Sequence, residues 1–449
     1  MTSLSTASSG GVAVRLPTVT PEPVRVGVLG CGNVGAAFID LVRARADDIA
    51  ARTGLDLEVT RVAVRSVAKE RPVELPDGVL THDAAGVVAD PAIDVVVEVI
   101  GGIEPARELI LGAIKAGKPV VTANKELLAN VGAELFAAAD AAGVDLLFEA
   151  AVAGGIPVIR PLRESLAGDR IDRVLGIVNG TTNYILTRMT EAGASYADAL
   201  GEAQSLGYAE RDPTADVEGH DAAAKAAIMA AIAFGVRVVA GDVYSEGISG
   251  ITPADVAYAA KMGYVIKLLA IAERHDGDDG GEVGVRVHPA MVPAEHPLAS
   301  VRDSFNALFV EGAAVGSLMF YGRGAGGYPT AAAVLGDLID AAVNRSKGSH
   351  ASIGTLGEAR IRPIDEIETA YYLNLDVFDR PGVLAAVAGV FGRHGVSIRS
   401  MEQEGLAGEA RLVFITHVAR EAAVQATVRD LHHLEPVDRI TSVLRVIGE

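Results

Sequence analysis

Residues 24–35 read V-R-V-G-V-L-G-C-G-N-V-G: a short apolar run, then Gly30, Gly32 and Gly35 in G-x-G-x-x-G spacing, followed by the amphipathic stretch AAFIDLVRARADDIAAR. Few sequences constrain a fold more tightly. Glycines between a strand and a helix allow a tight turn, a close approach of backbone to a pyrophosphate, and an anion at the helix N-terminus. The reading is a dinucleotide site built on Gly30, Cys31, Gly32, Asn33, Val34 and Gly35, with the Cys31 side chain simply packing. A glycine-rich turn without a ligand is the weaker alternative.

At the end of the second strand, V-T-R-V-A-V-R-S-V-A-K-E-R offers Arg65 and Lys69 where an NAD-binding fold would place Asp or Glu. A cation suits a 2′-phosphate, so NADP(H) is expected in preference to NAD(H), with NAD(H) still possible and an ordinary surface arginine the alternative. Further on, D-V-V-V-E-V-I-G-G ends at Gly101–Gly102, and K-P-V-V-T-A-N-K ends in Thr122, Asn124 and Lys125. Ligands of open α/β sheets sit outside the carboxyl ends of the strands, which puts Gly101 and Lys125 at the cofactor.

The second informative stretch is Glu210–Lys225, E-R-D-P-T-A-D-V-E-G-H-D-A-A-A-K. Its five carboxylates (Glu210, Asp212, Asp216, Glu218, Asp221) precede an apolar helix, AAIMAAIAF, that opens with Lys225. Asp221 lies four residues before Lys225, so both project from one helix face. A half-buried lysine among carboxylates is costly unless a site uses it. The plain reading is an acidic first turn complementing the helix dipole. The cofactor motif upstream favours the functional one.

The length of 449 residues suggests about two to four domains. A net charge of −19 with pI near 5.0 argues against a nucleic-acid or anionic-membrane partner. No apolar run reaches the ~18 residues needed to span a bilayer. One cysteine excludes an internal disulfide and fits a cytoplasmic, reducing setting. The ten histidines show no metal spacing.

The expected organisation is a tail over 1–23 and a Rossmann-type doubly wound parallel α/β sheet over 24–150. An α+β substrate-binding and dimerisation domain follows over 151–321, with Pro157 in the first turn of a helix. A helix over 322–345 returns to the cofactor domain, and a linker covers 346–370. Residues 371–449 alternate as a separate ferredoxin-like βαββαβ unit. Its turn Asp379-Arg380-Pro381-Gly382 offers free amides to an amino-acid carboxylate, oligomerisation alone being the competing role.

With these pieces in order, the chain resembles homoserine dehydrogenases of the longer bacterial type with a C-terminal ACT domain. The resemblance covers 24–449 and rests on VLGCGNVG, VTANK, NGTTNY (179–184) and GYAERDPTADVEGHDAAAK (207–225). It implies interconversion of aspartate semialdehyde and homoserine, on the route to threonine and methionine. By the same resemblance Glu210 binds the substrate ammonium, Asp221 the hydroxyl, and Asp216 and Thr182 complete the substrate site. Lys225 donates the proton and Lys125 polarises the carbonyl, each ammonium lowering the other's pKa from about 10.4. Gly207 and Gly326 touch the cofactor. A monovalent cation (Na+ or K+) falls to Glu149 and the carbonyls of Val152, Gly154 and Ile156. The ACT domain, through Asp379, Pro381 and Gly382, implies an amino-acid effector, threonine first, in a homodimer or homotetramer. No kinase segment precedes the dinucleotide motif, so a fused kinase is not expected. A thioester-forming semialdehyde dehydrogenase needs a nucleophilic cysteine near its substrate, and Cys31 is in the phosphate loop. A sugar dehydrogenase would not need the amine-binding carboxylate, and a catalytically dead amino-acid sensor would not need the two lysines.

Overall fold

A computed structural model describes residues 22–448, except 276–280, 359, 407 and 408. The expected tail therefore lies outside the described residues up to position 21, and Glu22 and Pro23 already belong to the first strand.

The cofactor half is built from β1 (Glu22–Leu29), α1 (Asn33–Ala44), α2 (Ala46–Thr53), β2 (Leu55–Ala63), β3 (Leu80–Thr81), α3 (Ala84–Ala89), β4 (Val95–Glu98), α4 (Ala106–Lys115), β5 (Val120–Thr122), α5 (Lys125–Ala142) and β6 (Leu146–Leu147). Its strands pair in parallel in the order β3-β2-β1-β4-β5-β6. That order reverses at β1/β4, where dinucleotides bind. Val26 and Val28 of β1 and every residue of β4 are buried, as a parallel sheet covered on both faces requires.

A 3-10 turn (Glu149–Ala151) and a π-helical turn (Pro161–Ser165) lead into the middle domain; Pro161, not Pro157, sits in a first helical turn. The domain comprises β7 (Ile171–Ile177), α6 (Gly180–Ala192), α7 (Tyr196–Ser205), α8 (Thr214–Val217), α9 (His220–Phe234), β8 (Val236–Arg237), β9 (Tyr244–Ser245), α10 (Pro253–Lys261), β10 (Tyr264–His275), β11 (Glu282–Pro293), β12 (Phe305–Gly312) and β13 (Gly316–Arg323). The apolar stretch that closes α9 is buried against β7, β10, β11 and α5. An all-round apolar helix is stable only in such a position.

The returning helix α11 spans Gly327–Lys347, later at both ends than the expected 322–345, because β13 extends to Arg323 and Gly348 caps the last turn in the left-handed region. Val334, Leu338 and Ala341 of α11 join Phe38 and Val97 in the core on one face of the cofactor sheet. The expected linker is packed rather than loose. It holds β14 (Gly357–Glu358), paired with β8, and it ends early because β15 begins at Glu368.

The last domain is β15 (Glu368–Phe378), α12 (Val383–Arg393), β16 (Ile398–Leu406), β17 (Glu409–Thr416), β18 (Ala419–Arg420), α13 (Glu421–His432) and β19 (Val437–Val446). Its strand order β19-β15-β17-β16 is that of a ferredoxin-like unit. It is not a separate tail module. Strand β19 pairs in parallel with β11 (Ala290 with Arg445, Met291 with Val446), so among the described residues one eleven-stranded sheet runs through both domains. One sheet face carries Tyr371, Leu373 and Leu375 onto its own helices, and the other sends Tyr372, Val413 and Leu444 into the core of the middle domain. The period-2 alternation of a strand buried on both faces explains this division.

Candidate functional site

The glycine loop separates its three roles cleanly. Gly30 has φ +105°, and a Cβ there would lie 2.7 Å from the Val99 carbonyl oxygen. A Cβ on Gly35 would strike the Gly30 carbonyl, whereas nothing lies within 4 Å of one on Gly32. Gly32 caps α1, so the open side of the loop faces the helix N-terminus, whose first residues are Asn33 and Val34. Arg65 and Lys69 are exposed just beyond β2. Sequence reasoning missed Arg71, whose guanidinium donates to the Ser66 and Lys69 carbonyls and meets the half-buried Cys31 thiol. Burial pushes that thiol's pKa up, with Arg71 opposing.

Glu98, the one charged residue in its apolar run, was also missed. It is fully buried at the end of β4, accepts the Ile100 and Gly101 amides (2.7 and 3.2 Å) and takes the Thr122 hydroxyl at 2.5 Å. It thereby shapes the turn at Gly101 (φ +82°). Asn124 caps α5 by accepting from Leu127 and donates to the Gly102 carbonyl, which fixes where Lys125 starts its helix.

Lys125 and Lys225 come from different domains and meet at one carboxylate. Lys225 Nζ lies 2.7 Å from Asp221 Oδ2 and donates to the Val178 carbonyl at 2.6 Å, while Lys125 Nζ pairs with Asp221 Oδ1. Asn179, the N-cap of α6, donates to Asp216 Oδ1 (2.7 Å) and Asp221 Oδ2 (2.9 Å) and accepts from the Thr182 amide (2.9 Å). The Thr182 hydroxyl turns back onto Asn179. Asn179 was read only as part of a motif; its place after a strand and before a helix was the available signal.

The charges are not mutually weakened as expected. Burial pulls Lys225 below its ordinary pKa and Lys125 adds to this, with Asp221 opposing. Burial acts on Lys125 too, but the Asp221 carboxylate between the ammoniums outweighs it, and its pKa rises. Burial opposes the ionisation of Asp221, yet the two lysines hold its carboxyl well below the usual range. Asp216 is shifted upward by burial, with Asn179 opposing and Asp221 repulsion reinforcing.

Lys125 and Lys225 line a cavity of about 270 Å³ with Val34, Gly101, Gly154 and Thr330. A larger one, about 460 Å³, runs along the α5–α9 contact and holds none of these charged groups. The two helices of the cleft also touch: a Cβ on Gly327 would lie 3.2 Å from the Asn33 carbonyl, which brings Gly326 (φ +116°) beside the glycine loop. Glu210 and Gly207 are exposed on the loop between α7 and α8, and the Glu210 carboxylate bonds to none of the cluster among the described residues.

The Glu149 carboxylate is engaged: it accepts the amides of Val158, Ile159 (2.7 Å) and Arg160 (2.8 Å). The amide of Glu149 donates to Asp337 of α11 at 2.7 Å. Burial raises the pKa of Asp337 to about 7, with the Glu149 bond and Arg160 opposing. The turn's amides bond elsewhere, Gly155 to Arg323 and Ile156 to Ala153, and among the described residues no turn or loop amide donates to the carbonyls of Val152, Gly154 or Ile156. Such carbonyls suit a hard cation. Glu149 as a side-chain ligand fits less well.

In the last domain, Gly382 (φ +90°) caps α12 behind Asp379 and Pro381, beside a cavity of about 190 Å³ that Asp379 and Gly382 help to line.

Residues 30–149 match the NAD-binding domain model of homoserine dehydrogenase, 157–339 the homoserine dehydrogenase model, and 371–435 the ACT domain. The chain is 53% identical over 437 residues to the homoserine dehydrogenase of Mycobacterium tuberculosis, spanning 95% of this chain and 98% of the relative. It resembles the crystal structure of a homoserine dehydrogenase from Thiobacillus denitrificans with a TM-score of 0.89 and 44% identity, covering 95% and 99% of the two chains. A hyperthermophilic archaeal homoserine dehydrogenase in complex with NADPH matches with a TM-score of 0.62 and 28% identity, over 72% of this chain and 98% of that one.

Proposed function

Because this chain belongs to the homoserine dehydrogenase family, with an NAD-binding domain and a C-terminal ACT domain, we propose that it interconverts L-aspartate 4-semialdehyde and L-homoserine, with NADPH as the preferred reductant. The observation that carries the reading is the meeting of Lys125, Asp221 and Lys225 at the cavity under the glycine loop. NADPH held there by the glycine loop would supply the hydride for the carbonyl carbon of the semialdehyde. Lys225 gives its proton to the oxygen, and Asp221 keeps the buried ammonium charged until that moment. Lys125 adds positive charge where the alkoxide develops, a preorganised electrostatic effect. In oxidation, neutral Lys225 takes the hydroxyl proton back; its lowered pKa favours that form.

Asp216 and Thr182, held by Asn179, define the substrate side, and Glu210 on the rim supplies the carboxylate for the substrate ammonium. Arg65 and Lys69, exposed just beyond β2 where an NAD-binding fold would place Asp or Glu, support the 2′-phosphate assignment, as does the NADPH held by the archaeal relative. A Na+ or K+ ion would take the carbonyls of Val152, Gly154 and Ile156, with Glu149 contributing through its main-chain carbonyl. The ACT turn at Asp379–Gly382 receives an amino-acid effector, threonine first, and the assembly is a homodimer or homotetramer.

The test is homoserine-dependent reduction of NADP+ and NAD+ followed at 340 nm, with and without threonine. Turnover favouring NADP+ and falling with threonine upholds the whole reading. Turnover indifferent to threonine keeps the enzyme and leaves the ligand of the ACT turn open, and none at all, in a folded protein that binds NADPH, removes the catalytic assignment.

A further inference from the structure

The β10–β11 hairpin turns a polar face toward the chain that leads into the ACT domain. Its register (Leu269 with His288, Ile271 with Arg286, Glu273 with Gly284) puts Glu273, Arg286 and His288 on one side. Segment 361–367 crosses this face. Ile361 bridges Val283, the Arg362 amide donates to the Val283 carbonyl at 3.0 Å, and a Cβ on Gly284 would lie 3.1 Å from Ile367 Cδ1. Between hairpin and segment lies a cavity of about 260 Å³, lined in part by Arg286, Arg362, Tyr244 and Asp242.

Its two guanidiniums have donors to spare. The Arg286 side chain is 7% exposed and, among the described residues, makes one hydrogen bond, Nη1 to Glu273 at 2.7 Å. Among the described residues Arg362 makes one through its side chain, Nη2 to the Glu366 carbonyl. The Nε atoms of both are buried without a hydrogen-bond partner among the described residues, that of Arg362 facing Glu282 Oε2 only at 3.9 Å. A native structure rarely leaves such donors unmet unless a water or an ion serves them. Of the neighbouring carboxylates, Glu273 is paired with Arg286 and His275 and Glu282 with Arg360, while Asp242 at the cavity wall takes the Val239 amide through one oxygen.

We infer that the Arg286–Arg362 cavity is a binding site for a small oxyanion, a carboxylate or a phosphate group, separate from the cofactor cleft and from the ACT turn. Guanidinium forks match two oxygens of one such group, which a point cation would not select. Segment 361–367 runs straight into β15, and Tyr244 receives a bond from Arg445 of β19 at 3.4 Å. An occupant would therefore hold the catalytic sheet and the first ACT strand together.

The test titrates inorganic phosphate and, separately, acetate into the full chain saturated with NADPH, so that the dinucleotide site is filled. Saturable heat of binding, with a matching rise in unfolding temperature, is expected for at least one of them. Arg362→Gln, which keeps a donor for Glu366, should weaken it about tenfold or more, the cost of losing a charge-assisted bond. Ile364→Trp, which fills the cavity, should abolish it. Phosphate alone identifies a phosphoryl ligand and acetate alone a carboxylate. No saturable binding, or binding indifferent to Arg362→Gln and Ile364→Trp, overturns the site.

Discussion

Lys125, the first residue of α5 in the cofactor domain, pairs across the cleft with Asp221 of α9, 96 residues later in the chain. The same carboxylate holds Lys225 through its other oxygen. The domains thus meet at the reacting groups, and removing Asp221 leaves the buried Lys225 ammonium without its carboxylate, whereas removing either lysine leaves Asp221 paired with the other.

Lys225→Ala should lower kcat by about 10²–10⁴, the usual worth of a positioned proton donor, with NADPH affinity within about twofold. Steady-state rates alongside a fluorescence titration of NADPH separate the effects. Loss of cofactor binding with unchanged turnover per bound enzyme would remove Lys225 from the chemistry.

The pH profile of homoserine oxidation should rise through the pKa of Lys225, since the neutral amine is the base. The Lys125 ammonium lowers that pKa and the Asp216 carboxylate raises it. Lys125→Ala should therefore move the limb to higher pH and Asp216→Asn to lower pH in the residual kcat. Shifts in one common direction would refute the assignment.

Arg65→Ala should weaken NADPH by about 10- to 100-fold, the value of a charge-assisted phosphate contact, and NADH hardly at all. Equal losses for the two nucleotides would instead point to Arg71, packed against Cys31 in the phosphate loop.

The docking of the ACT sheet is testable at Asp255, which is fully buried in α10. It accepts from Tyr372 (3.2 Å), Asn374 (3.3 Å) and Ser442 of the ACT strands and from its own cap, Thr252 (2.7 Å). Asp255→Ala orphans several donors at once, at about 1–3 kcal/mol for each left dry. Denaturant unfolding should lose about 3 kcal/mol or more. Hydrogen exchange should accelerate in β15 and β19 before β1. Uniform acceleration over the chain would mean that Asp255 supports the core generally rather than this interface.

The local motifs were legible because their physics is local. Strand, glycine turn and helix follow one another within 29 residues, and Asp221 and Lys225 share a face by helical spacing alone. The ferredoxin-like order of the last domain shows in its alternation. Arg71 and Glu98 were missed because a cation in a loop and one acid in an apolar strand look like surface and exception until their partners are known.

The sequence by itself determined the element types, the cofactor turn and the residue chemistry available to the site, since each depends on neighbours a few positions away. Only the tertiary structure decided which charges share Asp221, that Asn179 ties it to Asp216, and that Glu149 spends its carboxylate on three amides. It also decided that β19 joins β11, which makes one sheet of two domains. Those pairings are set by how apolar faces pack over long sequence separations. Pattern along the chain carries no record of them, because many partners would satisfy the same periodicity and only one packing buries every face.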